Sequence, residues 1–534
     1  MLSWLNFPNS SFRRTLTCFV KKKAKQNNWA LVSITSISVL KTARQVTKED
    51  QPQKTLQSVM ATAEYGNSQV PDFYDDRVVF VTGGTGFIGK VLLEKLLRSC
   101  PSVKRVYVLV RCKRGEEPPA RMEAVFNMPV FDRLKKEKPG AFEKVKVVAG
   151  DLTLPNLGLS DIEQAALIEE VSVVFHLGAT VRFNEPLKRV VAINVLGTRT
   201  VLDLSRKMLK LCAFVHVSTA YSNWTMKEID EKVYPPPVDV QRIIEVTRSA
   251  DSKTADAMRE FSVGQPNSYS LAKAVTESVL LAERGMLPVA IVRPAIVTAS
   301  WKEPFPGWVD NYNGCTGIVA SISLGLLPSV IAKKKCLADL VPVDVVANML
   351  ICVAWQISTI RPDHLKVYNC TNTTLHQQTW GETISEIRRV IGQYPLPKTM
   401  FSPGFMVNSS QPLHNLVLFF LRYLPVHIGD IGLLLTRQKP RFVAQYKKVR
   451  KAMDAVQFYT TNSWLLRSEN AVDLISNLSS TDKQLFKFDI QEMDWHLYWD
   501  QYMLGIHRFL LKVQHWEKVR KQLKRLERWL LDAY

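Results

Sequence analysis

The feature that most constrains the fold is a short apolar strand that runs directly into a glycine-rich turn and then into a helix. Residues 78–82 read Val-Val-Phe-Val-Thr, a run typical of a buried strand. Gly83, Gly86 and Gly89 follow at intervals of three, and residues 90–97 have the apolar spacing of a helix. This order of strand, glycine turn and helix N-terminus is typical of a site that binds the pyrophosphate of a dinucleotide.

Each glycine of this turn has its own expected role. Gly83 permits the sharp turn, Gly86 lets the backbone approach a pyrophosphate, and Gly89 lets the helix pack closely on the strand. A glycine turn that binds nothing is the alternative, but the flanking strand and helix disfavour it. We therefore predict that a nucleotide cofactor contacts the whole segment, namely Thr82, Gly83, Gly84, Thr85, Gly86, Phe87, Ile88 and Gly89.

The second predicted strand, residues 105–110, indicates which nicotinamide cofactor is used. A carboxylate at the end of this strand binds the free ribose 2′-hydroxyl of NAD. Here the strand ends in Arg111, followed by Lys113 and Arg114. Because a guanidinium binds a 2′-phosphate that a carboxylate would repel, the sequence favours NADPH. The alternative is a solvated basic loop.

Further strand-like runs alternate with helical patterns such as 187–204 and 269–283, which predicts a Rossmann-type, doubly wound parallel α/β sheet. Ligands bind such sheets at the carboxyl ends of the strands. Polar or turn residues follow the predicted strands at this edge, and we expect the cofactor to reach three of them: Asp151, Leu152 and Pro294.

A second pattern, Tyr269-x-x-x-Lys273, predicts acid–base chemistry on a carbonyl. The two side chains share one helix face. A free phenol has a pKa near 10, and a nearby ammonium together with a cationic nicotinamide ring lowers it. Tyr269 could then protonate a carbonyl oxygen as a hydride arrives, while Lys273 holds ribose hydroxyls. The second donor to the developing oxyanion is Ser218 or Thr219, at a strand end; the sequence does not rank them.

These residues resemble the extended short-chain dehydrogenase/reductases, and longer stretches resemble the fatty acyl-CoA reductases within them. The most specific stretch is Glu303-Pro-Phe-Pro-Gly-Trp-Val-Asp-Asn311, which a generic dinucleotide fold does not explain. The resemblance covers about residues 70–512 and looks closest to the arthropod-type members. The other matching stretches are 81–90, 175–183, 194–198, 216–221 and 291–294.

The resemblance implies a reaction and its partners. Such enzymes reduce a long-chain acyl-CoA to a primary alcohol with two NADPH, through a hemithioacetal that expels CoA and leaves an aldehyde. Ser218, Thr219, Tyr269 and Lys273 suit both reductions, since each places negative charge on the same oxygen. The alternatives are another extended short-chain enzyme, acting on a sterol or a sugar nucleotide, and a silent dinucleotide-binding scaffold.

The net charge of +21 predicts an anionic partner. Residues 1–48 carry nine basic and no acidic side chains, and further basic clusters lie at 437–451 and 508–528. Clusters at both ends of a nearly neutral centre favour a membrane surface and the polyanionic CoA over nucleic acid. We expect a membrane-associated enzyme of the endoplasmic reticulum, with the peroxisome as the alternative.

Four regions are predicted: a disordered basic leader (1–70), a reductase domain (71–390), a helical C-terminal domain (391–512) and a basic amphipathic tail (513–534). The segment 413–435 is apolar but carries Arg422, Pro425 and Asp430, so we expect interfacial contact and no clean transmembrane helix. Eight sparse cysteines without ligand spacing predict a reducing compartment and no structural metal. The oligomeric state is not predicted.

Overall fold

The computed structural model describes residues 68–113, 115–183, 185–249, 260–261, 263–372, 377–396, 399 and 401–513. The predicted leader up to residue 67, Arg114 and the predicted tail from residue 514 lie outside the described residues.

A parallel seven-stranded sheet forms the centre of the described region, and its strands lie in the order 145–149, 105–110, 78–82, 173–176, 213–217, 289–294 and 366–370. Val81 lies opposite Val108 and Phe175, which sets the register around the glycine turn. The strands are β1 Val78–Thr82, β2 Arg105–Val110, β3 Val145–Ala149, β4 Val173–His176, β5 Ala213–Val217, β6 Glu228–Ile229, β7 Val289–Pro294, β8 Ile296–Thr298, β9 Ser329–Ile331, β10 Leu340–Pro342, β11 Lys366–Cys370, β12 Met406–Asn408 and β13 Leu465–Leu466.

The predicted fold class is confirmed, since helices alternate with these strands. A π-helical turn at Ala192–Leu196 joins two α-helices into one rod over 187–207. The α-helices are α1 Gln69–Phe73, α2 Phe87–Ser99, α3 Pro118–Phe126, α4 Asp132–Glu137, α5 Asp161–Glu170, α6 Leu187–Val191, α7 Gly197–Lys207, α8 Val240–Arg248, α9 Ser268–Glu283, α10 Gly314–Ser323, α11 Val343–Ile360, α12 Trp380–Gln393, α13 Gln411–Leu418, α14 Leu424–Leu435, α15 Phe442–Thr461, α16 Glu469–Asn477, α17 Ser480–Leu485 and α18 Trp495–Gly505.

Both faces of the sheet are covered, which explains the continuous apolar run of β1. Val79 and Val81 face one core, which also contains α2 and the apolar helix α11. Val78 and Phe80 face a second core on the opposite side, where α7 packs. A parallel sheet buried on both faces needs apolar residues at every strand position.

The segment after residue 390 pairs with the sheet region through two short parallel ladders. Met406–Asn408 lies against Ser329–Ile331, and Leu465–Leu466 lies against Glu228–Ile229. These contacts bring the helical C-terminal segment back over the carboxyl edge of the sheet. The domain boundary near residue 390 stays a prediction.

The loop around Glu303 connects α2 to the C-terminal helix α18. The Glu303 carboxylate pairs with Lys95 at 2.5 Å and Arg98 at 2.9 Å, both on α2. The buried Asp344 accepts the backbone N–H groups of residues 301, 302 and 303. Gly307 has φ +77°, and a Cβ there would lie 2.0 Å from the carbonyl oxygen of Gln501 on α18. The loop therefore lies between α2 and α18 and contacts both.

The expectation of interfacial contact without a clean transmembrane helix stays a prediction. Residues 411–435 form one 25-residue helix that is long and apolar enough to cross a membrane. Its Pro425 lies inside this helix, shortly after a π-helical turn at Phe419–Tyr423. The second such helix, α11, is 83% buried and belongs to the core.

We predict that Glu303→Gln destabilises the fold by about 3 kcal/mol, because it removes the charge opposite two buried cations. Although burial opposes ionisation, Lys95 and Arg98 hold the pKa of Glu303 below its ordinary value. Glu170→Gln, at a half-exposed pair with Arg105, is the matched control and should cost less than about 1 kcal/mol. Urea unfolding of both variants measures the difference, and equal costs would contradict the anchoring role of Glu303.

Candidate active site

A cavity of about 1170 Å³ opens at the carboxyl edge of the sheet and brings the predicted site residues together. Its wall includes Tyr269, Lys273, Ser218 and Thr219, and also the predicted cofactor-binding residues other than Gly84. A Cβ at Gly84 would lie 2.7 Å from the Val108 side chain, so this glycine serves packing of the turn on β2.

The geometry of the glycine turn fits a bound pyrophosphate. Gly83 has φ +76°, and a Cβ there would lie 2.7 Å from the backbone nitrogen of Gly178. A Cβ at Gly89 would lie 2.3 Å from the carbonyl oxygen of Gly83. Gly89 therefore packs on the turn itself, whereas we had expected it to pack on the strand. Gly86 is the N-cap of α2 and offers no side-chain acceptor. The first N–H groups of α2 are therefore not capped by that residue.

A buried hydrogen-bond chain holds the end of β1 in place. Thr198 donates to the carbonyl oxygen of Asn194, and its oxygen lies 2.8 Å from His176 Nε2, so Nε2 carries the proton. His176 Nδ1 then accepts from Thr82 at 2.7 Å, and Thr82 accepts the N–H of Gly178 at 3.0 Å. Burial lowers the pKa of His176 to about 3, which keeps the imidazole neutral.

The end of β2 presents cations to the cavity. Arg111 has a half-exposed side chain 3.9 Å from the Asp151 carboxylate. Asp151 accepts the N–H and the hydroxyl of Thr153, both at 2.9 Å, which fixes its own orientation. Arg121 of α3, which the sequence reasoning missed, lines the same wall and donates to the carbonyl of Arg111. A cation shortly after the second strand is the signal that could have found it.

Tyr269 lies on α9 with its ring partly exposed to the cavity. Burial, Tyr459 and Glu277 together raise its pKa, a direction opposite to the one we expected from Lys273. A raised pKa keeps the phenol protonated, which is the form that donates a proton to a carbonyl oxygen.

Lys273 is buried one helical turn further along α9. Its Nζ donates to the carbonyl oxygen of Val217 at 2.6 Å and lies 3.5 Å from His216 Nε2. Burial lowers the pKa of Lys273 to about 7, while Glu277 opposes this shift. Lys273 is thus held at the end of β5, beside the two candidate hydroxyl donors.

The two candidate hydroxyl donors differ in what they bind. The Ser218 hydroxyl donates to the buried carboxylate of Glu277 at 2.5 Å. Thr219 Oγ1 accepts the N–H of Tyr221 at 3.4 Å, an arrangement that leaves the Thr219 proton to donate. Glu277 also pairs with the buried Arg293 at 2.6 Å. The sequence reasoning missed Glu277, although its position four residues after Lys273 places it on the same helix face.

The C-terminal segment closes the cavity with apolar side chains and one tyrosine. Tyr459 of α15 is buried; its hydroxyl accepts from Asn267 at 2.8 Å and lies 3.2 Å from the Ser270 hydroxyl. No local motif marks Tyr459, which tertiary packing alone brings to the site. The apolar branch of the cavity is lined by Ile318, Ile322, Val330, Ile384, Ile387, Phe405, Met453 and Val456. Within the described residues, no cluster of His, Cys, Asp and Glu could hold a metal ion.

Two family models, each described as "Male sterility protein", match this chain. The NAD-binding model covers residues 81–350, and the Sterile model covers residues 421–513. Fatty acyl-CoA reductase 1 of Homo sapiens is 41% identical over 443 residues, which cover 83% of this chain and 86% of that protein. Fatty acyl-CoA reductase 2 of Mus musculus is 34% identical over 462 residues, which cover 86% and 90%. Assignment to the arthropod subgroup stays a prediction.

Solved structures support the fold. The terminal R domain of the myxalamid pathway aligns with a TM-score of 0.53 and 21% identity, over 83% of this chain and 93% of that domain. The reductase domain of a nonribosomal peptide synthetase from Mycobacterium tuberculosis aligns with a TM-score of 0.53 and 19% identity, over 81% and 92%.

These relatives match across most of both chains, at 34–41% identity. This chain therefore belongs to the fatty acyl-CoA reductase family, and is an oxidoreductase with a nicotinamide-binding domain.

Proposed function

We propose that this enzyme reduces a long-chain fatty acyl-CoA to a primary fatty alcohol with NADPH, through an aldehyde, and releases CoA. The observation that carries the proposal is the single cavity that joins Tyr269, Lys273 and Thr219 to an apolar branch beneath α15. A polar end that handles a carbonyl and an apolar end that holds a hydrocarbon are what a fatty acyl thioester requires. The names of the relatives give the substrate class.

The first reduction converts the thioester to an aldehyde. NADPH supplies a hydride to the carbonyl carbon in each of the two reductions. Tyr269 protonates the developing oxyanion, and the resulting hemithioacetal breaks its carbon–sulfur bond to release CoA as the thiol. Lys273 lies within one helical turn of Tyr269 and suits the ribose hydroxyls of the cofactor.

The second reduction uses the same groups on the aldehyde. The oxygen that becomes negative in the first step becomes negative again, and Tyr269 protonates it to give the alcohol. The balance for one acyl-CoA is two hydrides and two protons consumed, with one alcohol and one CoA thiol formed. Tyr269 carries its proton at neutral pH, as a phenol does, and can therefore donate in both steps.

We assign the second oxyanion donor to Thr219, the choice that the sequence left open. The Ser218 proton already points to Glu277, and withdrawing it would leave a buried carboxylate without that bond. Thr219 lines the cavity, and its hydroxyl accepts a backbone N–H, which leaves its proton for the substrate. Ser218 then acts as a positioning residue for Glu277.

Cofactor choice rests on Arg111 and Arg121. Both line the wall of the cavity next to the glycine turn, where a 2′-phosphate would lie at the end of β2. Asp151 is held back by Thr153 and by Arg111, so it presents little repulsion to that phosphate. We therefore favour NADPH over NADH.

We also infer a membrane location, at the endoplasmic reticulum, with the peroxisome as the alternative. A fatty alcohol is poorly soluble in water, so a membrane is its natural destination.

The proposed domain order places a reductase domain at 71–390 and a helical domain at 391–512, which together enclose the cavity.

Product analysis tests the proposed reaction. The full-length enzyme is given a panel of saturated acyl-CoAs with NADPH, and the lipids and CoA are quantified. We expect alcohol and free CoA in equal amounts with two NADPH consumed, and their loss in Tyr269→Phe. NADPH binding without alcohol or aldehyde from any acyl-CoA would contradict the proposal and favour a silent scaffold, whereas activity on a sterol alone would favour the other short-chain alternative.

Replacing each hydroxyl residue separates the two candidate donors. We expect Thr219→Val to lower kcat by about 10²–10³-fold, as loss of an oxyanion donor does. Ser218→Ala should lower thermal stability and change kcat less, because its hydroxyl serves the buried carboxylate. Steady-state kinetics and thermal unfolding of both variants provide the comparison. A larger loss of kcat in Ser218→Ala would reverse the assignment.

Arg111→Ser tests cofactor choice. We expect KM for NADPH to rise roughly tenfold or more, since a charged hydrogen bond contributes about 1.5–3 kcal/mol. KM for NADH should stay nearly constant, because NADH has no 2′-phosphate. Arg242→Ser, at an exposed pair with Glu260 outside the cavity, is the matched control. Equal changes for both cofactors would contradict a phosphate contact.

A further inference from the structure

Helix 411–435 has its polarity reversed relative to that of an ordinary surface helix. The residues at every fourth position are buried against the protein, and three of the five are polar or charged: His414, Leu418, Arg422, Val426 and Asp430. In an ordinary surface helix the apolar stripe faces the protein and the polar residues face water. Here the polar stripe faces inward, as in helices whose outer face lies in lipid.

The inward polar residues have partners in the protein. His414 Nδ1 lies 2.7 Å from the Ser329 hydroxyl, and the Arg422 guanidinium stacks over the Phe401 ring. The Asp430 carboxylate accepts backbone N–H groups from residues 441–443, at the start of α15. The burial of these groups is therefore built into the fold, and it fixes which side of the helix faces outward.

The outward face is apolar and uncharged. Within the described residues, eleven large apolar side chains of this helix are between 43% and 81% exposed: Leu413, Leu416, Phe419, Phe420, Leu421, Tyr423, Leu424, Ile428, Ile431, Leu434 and Leu435. The acidic and basic residues of the helix, Arg422 and Asp430, are both on the buried side. A contiguous apolar face of this size marks an interaction surface.

Cations follow this face in the sequence. Between Ile431 and Met453 there are seven basic residues and no acidic one: Arg437, Lys439, Arg441, Lys447, Lys448, Arg450 and Lys451. Arg450 Nη2 donates to Asn415 Oδ1 at 2.9 Å near the start of the helix, and Arg437 follows its end. The apolar face thus has cations near both ends, which complements the anionic headgroups of a bilayer.

The neighbouring helix α15 decides between a helix that spans the bilayer and one that lies in its surface. α15 packs along helix 411–435 from Phe442, whose ring lies against Gly429, to Gln457, which donates to Gln411. α15 also exposes Lys447, Lys448 and Lys451. If helix 411–435 crossed the hydrocarbon, those ammonium groups would be drawn into it at high cost.

We propose that helix 411–435 is an in-plane membrane anchor, embedded in one leaflet of an anionic bilayer, with the cations of 437–451 on the lipid headgroups. The role that we give this anchor rests on the proposed function, the reduction of a long-chain lipid. Val330 and Ile331 of β9 line the apolar branch of the cavity, and β9 is bonded to His414 of the anchor. The anchor places the apolar branch beside the membrane that supplies and receives long-chain lipids.

Chemical accessibility tests the orientation without depending on turnover. Full-length Leu424→Cys, Lys448→Cys and Met286→Cys are reacted with a polyethylene glycol maleimide, in detergent and on phosphatidylcholine–phosphatidylserine vesicles, and adducts beyond those of the parent protein are counted. We expect vesicles to slow modification at Leu424→Cys at least tenfold and to leave Met286→Cys and Lys448→Cys reactive. Equal reactivity of Leu424→Cys in both states would overturn the proposal, and protection of Lys448→Cys as well would overturn the in-plane orientation.

A second copy of the chain could also cover this face, and the same experiment detects it. Protection of Leu424→Cys that appears without vesicles and increases with protein concentration would overturn the membrane assignment. Protection on vesicles that is unchanged by protein concentration supports it.

A matched set of charge substitutions measures the contribution of the anchor to binding. Leu416→Glu, Phe420→Glu and Ile431→Glu together should lower vesicle co-flotation at least tenfold. Ile162→Glu, Leu209→Glu and Met286→Glu add the same charge at exposed apolar positions elsewhere and should leave flotation unchanged. Alcohol formation in detergent should persist in both triple variants, which separates a failure of the anchor from a failure of the proposed reaction. Equal flotation of the two triple variants would overturn the proposal.

Discussion

The buried ion pair between Glu277 and Arg293 is the interaction on which the site depends. Glu277 lies on the same helix as Tyr269 and Lys273, and Arg293 lies at the carboxyl end of β7. Both side chains are almost fully excluded from solvent and meet through two bonds of 2.6 and 2.9 Å. Breaking one partner of such a pair costs about 3–5 kcal/mol, because the remaining charge stays buried.

The same pair organises the surrounding loops. Arg293 also donates to the carbonyl oxygens of Asp230 and Lys232, while Glu277 accepts from Ser218 and Ser222. One charge pair thus ties the helix of Tyr269 and Lys273 to the ends of two strands and to the segments on both sides of β6. The position of Thr219 relative to Tyr269 follows from this network, and so does the assignment of the two hydroxyls proposed above.

The central sheet could be predicted from sequence because its signals are local. The run 78–82, the glycines and the predicted strands at 105–110 and 145–149 coincide with observed elements. Tyr459 could not be predicted, since its approach to Asn267 spans 192 residues and depends on how α15 packs. The direction of the pKa shift at Tyr269 could not be predicted either. Burial is its largest cause, and the extent of burial depends on tertiary packing.

The burial of the charged residues in helix 411–435 escaped the sequence for a related physical reason. Arg422 and Asp430 look like interruptions of an apolar stretch, yet both turn toward the protein and find partners there. Charge within a segment therefore does not decide its exposure; the spacing of the charges does. Positions 414, 418, 422, 426 and 430 share one face, and this period of four could have been found in the sequence.

In the proposed mechanism one carbon is reduced twice at one site, and an isotope measurement is the most direct test of this. The full-length enzyme would be supplied with a long-chain acyl-CoA and with NADPH carrying two deuterium atoms at C4 of the nicotinamide, and the product analysed by mass spectrometry. We expect a primary alcohol with two deuterium atoms at C1, formed in one incubation and absent in Tyr269→Phe. An alcohol with one or no deuterium, or a deuterated aldehyde that this enzyme does not reduce further, would contradict it.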